Sequence, residues 1–338
     1  MNLTTTIHTY LTTAPTSHFL GQEVVMLAEW SGRDNLLWRA QCAAQEVMVK
    51  LFLDAGQVRG RRQLAGQERF APLGLAPRPL WFDRYPEGLS RQLLVYAWAE
   101  GHTLEGADAQ QMATLAQAIA QVHGSDPNQL TRFCPHPVNL DYFWRILRSG
   151  LPALQQWLKL CKADQLARLF DQLAIQTQML VTAALPWWAG AAPTPVHGDL
   201  RLENALYAFG EVTLLDWEFF GLGDPALEIA TFLYLHHNDL GEERVGDWLD
   251  HYLAHFAQVG LDQRIGSYVK LLPFQSLCFL LSGLRDHGHA KADSEERQQE
   301  LSFVYPLLTY TVQQAAQPLL VACDEIDELL RPLFGRTS

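Results

Sequence analysis

Lysine is scarce in this chain. Of its 25 basic residues only Lys50, Lys159, Lys162, Lys270 and Lys291 are lysines, and Lys50 stands alone ahead of Lys159. Cysteine is scarce as well. Cys42, Cys134, Cys161, Cys278 and Cys323 are odd in number and far apart, with no CxxC pair. That spacing argues against a disulfide framework or a cysteine-based metal site and for a reducing compartment. No long apolar run is unbroken. The stretch over 271–284 is interrupted by Pro273, Gln275 and Ser276, so it reads as a core helix too short and too polar to span a bilayer. An excess of basic charge is missing too: the formal net charge is −12. General nucleic-acid binding rests on basic patches and is therefore not expected. The acidity suits a cationic small substrate, although solubility is the more ordinary reason for it. The start, "MNLTTTIHTYLTTAPTSHFL", has neither the basic beginning nor the apolar stretch of a signal peptide. A cytoplasmic protein without membrane partners is the expectation.

What is present is a globular composition, 48% hydrophobic and 18% charged over 338 residues, enough chain for two lobes. The first hundred residues are strand-rich. "EVVMLAEW", "NLLWRAQCA" and "QEVMVKLFL" are apolar, β-branched runs, the first two joined by the turn "SGRDN". A helical stretch over about 56–73 follows, then strands in "APRPLWFDRYPEG" and "RQLLVYAWAEG", the last ending at Gly101. Beyond that the apolar spacing becomes helical in "DAQQMATLAQAIAQVHG", "WRILRSGLPALQQWLKL" and "DQLARLFDQLAIQTQMLVTAAL". The region after Asp224 is mostly helical. One hairpin, "ALYAF" and "VTLLD" around a Gly210-Glu211 turn, interrupts the helical part. Strands first and helices after point to an α+β architecture. We divide it into an N-terminal lobe over 1–98 and a C-terminal lobe over 99–338.

The polar residues concentrate around that hairpin, in "PVHGDLRLENAL" before it and "DWEFFGLGDP" after it. Asp199 and Asn204 have the D-x-x-x-x-N spacing of a kinase catalytic loop, where the aspartate takes the proton of the attacking hydroxyl and the asparagine binds magnesium. Mg²⁺ wants hard oxygen ligands and keeps phosphate oxygens among them, so a second carboxylate is required nearby. Asp216 ends the hairpin, where the returning strand brings it beside the loop. Glu218 adds an outer-sphere or second-metal contact in this reading. Phosphate also needs positive charge. Lys50 closes "VMVK", similar to the V-A-I-K strand signature, and Glu68 on the next helical segment is placed to pair with it. "SGRDN", with the single glycine Gly32, would be the turn over the phosphates.

The ordered set "VMVK", "GQERFAPLGLAPRPLWF", "LLVYAWAEG", "VHGDLRLEN" and "LLDWEFFGLGDPALEIA" resembles the aminoglycoside phosphotransferase and choline kinase family over about 24–230. The resemblance implies a protein-kinase-like two-lobed fold: an N-terminal antiparallel sheet with one main helix, then a larger, mainly helical lobe. It also implies ATP- and Mg²⁺-dependent transfer of the γ-phosphoryl group to a hydroxyl of a small molecule. Residue by residue, it makes Asp199 the catalytic base, Asn204 and Asp216 the metal ligands, Lys50 the α/β-phosphate contact and Glu68 its partner. Tyr96 to Ala99 becomes the hinge, with the backbone around Ala97 and Ala99 holding adenine. His197 would brace the catalytic loop, and Asp224 would tie the following segment back to it.

Plainer readings stand beside these. His236, His237, His287 and His289 lack partners at a recognised metal spacing and read as helix-end or surface residues. Trp144, Trp187, Trp188 and Trp217 offer faces for a cationic substrate, but aromatics on helices are usually core. Arg201 approaches the phosphate or makes a structural ion pair. A nucleotide-binding regulator that has lost the reaction is the rival function, and the intact Lys50, Asp199, Asn204 and Asp216 argue against it. A peptide kinase is disfavoured because "GDPALEIA" follows Asp216 almost at once, leaving little room for an activation loop. The acceptor is expected to be set by second-lobe segments over about 107–185 and 235–301.

Overall fold

The computed structural model describes residues 3–32, 34–53, 58–104, 108–128, 130, 135–287 and 295–334, without the side chains of 287 and 295–302. Cys134, His289, Lys291 and the ring of His287 therefore lie outside the described residues. In chain order the first elements are α1 (Leu3–Thr13), β1 (Val24–Ser31), β2 (Asn35–Cys42), β3 (Gln45–Phe52), α2 (Val58–Phe70), β4 (Pro79–Asp83) and β5 (Leu93–Ala97). Next come β6 (His102–Thr103), α3 (Ala109–His123), α4 (Leu140–Leu160), α5 (Asp164–Ala184), β7 (Thr194–Val196), β8 (Ala205–Ala208) and β9 (Glu211–Leu214). The chain finishes with β10 (Gly221–Gly223), α6 (Pro225–His255), α7 (Leu261–His287), α8 (Glu295–Ala316) and α9 (Ile326–Phe334).

Two compact units share the chain. The first comprises Met1–His136, Pro193–Glu228 and Leu235–Ala257. The second comprises Pro137–Ala192, Ile229–Tyr234 and Gln258–Ser338.

In the first unit the five expected strands form an antiparallel sheet in the order β1-β2-β3-β5-β4. Because strand side chains alternate, Val47, Val49 and Leu51 share one face with Trp38, Ala40, Leu93 and Val95 of the neighbouring strands. That face is dry because α1 lies over it with Ile7, Tyr10 and Leu11. Burying each of these is worth about 1.5–3 kcal/mol. The threonine-rich run "LTTTIHTYLTT" has weak helix propensity, so only the spacing of those three residues betrays the helix, and sequence reading misses it. The opposite face carries Leu37, Lys50 and Leu94 across the sheet, then Arg39, Met48 and Tyr96. α2 packs there, and its close approach explains two glycines. A Cβ on Gly60 would meet Phe52 and Phe82 at 3.3 and 3.2 Å, and one on Gly66 would sit 2.8 Å from Trp217.

The interrupting hairpin forms as β8 and β9, with Ala205 opposite Leu214 and Ala208 opposite Glu211. Its turn is Phe209-Gly210, one residue earlier than the sequence suggests. Both residues have positive φ, 54° and 87°, as a two-residue type I′ turn requires. β6 adds a short third strand beside β8.

In the second unit α7 packs against α4, α5 and α8. It is longer than the interrupted apolar run implies, and Pro273 does not end it. By length and composition alone, Leu261–Asp286 would suffice to cross a membrane, and half of its most apolar window is buried. Leu271, Phe274, Leu277 and Leu281 are buried, as is Arg264, which donates to Gln258 at 2.6 Å.

The Gly66 contact gives opposing expectations for Gly66→Ala. Helix propensity alone favours the alanine by about 0.5–1 kcal/mol, whereas overpacking against Trp217 costs about 1–3 kcal/mol. Net destabilisation is expected in urea unfolding; a gain in stability would show that α2 is not seated on Trp217.

Candidate active site

The catalytic-loop sequence starts where β7 ends. Gly198 takes φ +90°, and a side chain there would collide with the Phe219 carbonyl and His136, so glycine is required on both counts. His197 beside it is fully buried. Its Nε2 bonds the Leu215 carbonyl at 2.7 Å, and its ring meets Trp217 edge-on with centroids 4.5 Å apart. The histidine thus bridges the loop and the segment that carries Asp216.

Two backbone N–H groups of this turn, at His197 and Gly198, would be stranded in the interior without an acceptor. Glu228 of α6 supplies it, one oxygen accepting from His197 N–H at 3.1 Å and the other from Gly198 N–H. His123 Nε2 donates to the same carboxylate at 2.7 Å, and its Nδ1 meets the Tyr252 hydroxyl at 2.7 Å. Burial alone would raise the Glu228 pKa; the hydrogen bond and charge of His123, with the loop amide, outweigh it and hold the carboxyl below its ordinary range. Asp224 caps α6, accepting from Ala226 N–H at 3.0 Å, and Glu228 one turn later is the carboxylate seen reaching back to the loop. Sequence reasoning misses Glu228 and His123. An acidic residue in a first helical turn usually just complements the helix dipole, and nothing local links it to a histidine on α3.

Asp199 points into a polar setting. Arg201 Nε donates to its Oδ1 at 2.8 Å. Asn204 Nδ2 donates to its Oδ2 at 3.0 Å and to its backbone carbonyl at 2.9 Å. With its nitrogen spent this way, Asn204 has Oδ1 left to offer a cation. Leu215 N–H donates to the Asn204 carbonyl at 2.7 Å, so the hairpin does return Asp216 to the loop. Asp216 adopts φ 60° and ψ 60°, a left-handed conformation that is strained for this residue and concentrates at functional sites.

Lys50 meets this segment directly. Its Nζ lies 2.8 Å from Asp216 Oδ1 and 2.6 Å from Glu218 Oε1. The Lys50 and Glu218 side chains are each only 3% exposed. Burial alone would depress the lysine pKa, but Asp216, aided by Tyr96 and Glu218, more than offsets it, and the ammonium titrates above the usual lysine range. Tyr96, next on the same face, is pushed up to about 12, chiefly by burial. The expected partner of Lys50 is not found at Glu68, which is exposed on α2. The inward stripe of α2 is Gly60, Gln63, Gly66, Gln67 and Phe70, and Glu68 falls off it by the helical period.

At the hinge, the Ala97 N–H already donates to the Arg78 carbonyl at 2.9 Å and the Trp98 N–H to Glu46 at 3.0 Å. Both bonds serve the sheet, so of the Ala97 backbone groups expected to face adenine the N–H is already engaged. The Ala99 N–H makes no backbone hydrogen bond among the described residues. Gly32 N–H closes the β1–β2 turn onto the Asn35 carbonyl at 2.9 Å. Arg33 lies outside the described residues.

Trp217 and Trp144 are buried, Trp217 stacked on Phe70 at 4.7 Å, so both serve the core. Trp187 is exposed. His237 is exposed as expected, but His236 is buried, its Nε2 3.4 Å from the Leu202 N–H. No cluster of three or more His, Cys, Asp or Glu suited to a metal occurs among the described residues. Asp216 and Asn204 nevertheless present the two hard oxygens that Mg²⁺ combines with phosphate and water. The donor set fits that ion.

Glu228→Ala should strand the two loop amides and His123. We expect roughly 2–5 kcal/mol of lost stability in denaturant titration, together with loss of turnover at temperatures where the variant remains folded. Full activity in Glu228→Ala would show that the loop holds its shape without this acceptor.

The family model described as the phosphotransferase enzyme family matches residues 28–264. The chain is similar to the structure of a choline/ethanolamine kinase family protein from Mesorhizobium loti, at 14% identity and TM-score 0.59, covering 98% of this chain and 99% of that one. It is similar to choline kinase LicA from Streptococcus pneumoniae, at 16% identity and TM-score 0.55, covering 87% and 94%. Macrolide 2'-phosphotransferase MphH from Brachybacterium faecium is comparable, at 15% identity and TM-score 0.55, covering 89% and 93%. Sequence comparison with curated proteins gives no match. The kinase-like fold is thus shared with these structures, and the match over most of its length makes the chain a member of the phosphotransferase enzyme family.

Proposed function

We propose that the protein transfers the γ-phosphoryl group of ATP to a hydroxyl of a small molecule, with Asn204 and Asp216 as the residues that would hold Mg²⁺. The observation that carries this reading is the Asp199–Asn204–Asp216–Lys50 constellation. Asp199 is steered by two donors, and Asp216 is brought beside the loop by the hairpin and held against Lys50. When bound, the metal supplies neutralisation of the phosphate charge. Asp199 orients the acceptor hydroxyl and takes its proton, leaving Arg201 and Asn204 to hold the carboxylate in line. Asn204 Oδ1 and an Asp216 oxygen offer the cation its protein ligands. Lys50 balances the α- and β-phosphates with an ammonium that its carboxylate neighbours keep charged against the effect of burial. The Ala99 amide is the hinge donor we assign to adenine, and the Gly32 turn is the element we place over the phosphates. Catalysis is then mostly positioning and charge stabilisation.

The acceptor class is a small alcohol. Two of the similar structures are of choline or choline/ethanolamine kinases, and choline is itself a cationic alcohol. A cationic acceptor also agrees with a net charge of −12 and electrostatic attraction to an acidic protein. A cytoplasmic setting accords with the unpaired cysteines Cys42, Cys161, Cys278 and Cys323.

Asp199→Ala should lower turnover by at least about a hundredfold while Mg·ATP still binds, as measured by isothermal titration alongside a phosphorylation screen of hydroxylated amines and sugars. Loss of binding and turnover together in a folded variant would refute the base assignment. Asp216→Ala should instead abolish the metal-dependent part of nucleotide binding. Unchanged Mg·ATP affinity in that variant would remove Asp216 from the metal site.

A further inference from the structure

Lys50 is a buried cation, and what holds it is not the main helix of its own lobe. The inward residues of α2, Gly60, Gln63, Gly66, Gln67 and Phe70, include no carboxylate, and the buried Gln63 and Gln67 have side-chain oxygens that meet no partner. Glu218 takes the place of a helix carboxylate. Its Oε1 lies 2.6 Å from Lys50 Nζ and accepts from Asn35 Nδ2 at 2.9 Å. Its Oε2 faces Arg59 Nη1 at 3.5 Å, and Arg59 in turn pairs with Asp34 at 2.9 Å. One carboxylate therefore gathers the lysine strand, the end of the β1–β2 turn and the start of α2. Both oxygens have partners, unlike those of a carboxylate left open for a cation.

We propose that Glu218 is the positioning residue for Lys50, replacing a glutamate on α2, and that through Asn35 it fixes the β1–β2 turn over the same site. The proposal rests on the nucleotide-binding reading given above. It differs from a metal-ligand role for Glu218 in one respect. A positioning residue acts through Lys50 and loses its effect when the lysine is gone, whereas a metal ligand acts with or without Lys50.

The test is a double-mutant cycle on Lys50→Met and Glu218→Gln, read as the affinity for Mg·ATP by isothermal titration and as the Mg²⁺ concentration giving half-maximal binding. Glu218→Gln should weaken Mg·ATP by about tenfold in the natural background and by less than about twofold beside Lys50→Met, as contacting residues couple. The Mg²⁺ midpoint should move by less than about twofold. Equal weakening in both backgrounds, no weakening in either, or a tenfold shift of the Mg²⁺ midpoint overturns the proposal. Should Glu218→Gln fail to fold, Asn35→Ala removes one bond to Glu218. It should weaken Mg·ATP about threefold, and that loss should vanish beside Lys50→Met; persistence of the loss counts against the proposal. A wild-type protein that binds no Mg·ATP refutes the functional reading itself, a result separate from any outcome of the cycle.

Discussion

A lysine ammonium buried to 3% exposure is costly unless carboxylates accompany it, and breaking such a buried pair by removing one partner costs about 3–5 kcal/mol. Much of the first unit is arranged around that requirement. β3 must run so that Lys50 falls on the face opposite α1. The β8–β9 hairpin must return Asp216 to the same point, and the turn of chain after it must deliver Glu218 alongside. α2 can approach that turn only because Gly66 carries no side chain where Trp217 lies. The charge and the packing are therefore one constraint: moving the tryptophan would also move the carboxylates.

A second buried carboxylate performs the matching task for the catalytic loop. Glu228 satisfies the amides of His197 and Gly198 and is itself held by His123. His197 then links the loop to Leu215, next to Asp216. Between these two anchors Gly198 and Asp216 both have positive φ, a conformation that glycine adopts freely and aspartate adopts at a cost. Rigid hydrogen bonding on either side is what allows Asp216 to keep a backbone conformation that a free chain would leave. Asp199, by contrast, is held by the side chains of Arg201 and Asn204 and stays partly exposed.

Several elements are legible in the order of residues alone. The five sheet strands announce themselves by β-branched runs between turn residues, and the long helices by their apolar spacing. α1 is not legible, because its threonines favour other conformations and its three apolar residues gain meaning only against the sheet. The hairpin turn reads one residue late because glycine suggests a turn without saying which of its positions it fills. At the site, Lys50, Asp199, Asn204 and Asp216 stand out by residue type and spacing. Glu68 is a plausible partner from proximity in sequence alone. Helical phase turns it to solvent, and Glu218, far along the chain, occupies the place instead.

By itself, the order of residues determined the strands-then-helices architecture, the loop carrying Asp199 and Asn204, and the hairpin that precedes Asp216. These are local properties, set by periodicity and by the geometry that a few adjacent residues impose. Only the tertiary structure decided that Glu218 joins Asp216 beside Lys50, that Glu228, itself held by His123, accepts from the loop amides, and that the Ala97 N–H belongs to the sheet. Each of those depends on which groups burial leaves without water, and a buried group takes whatever partner the fold brings within about 3 Å, however distant it is along the chain.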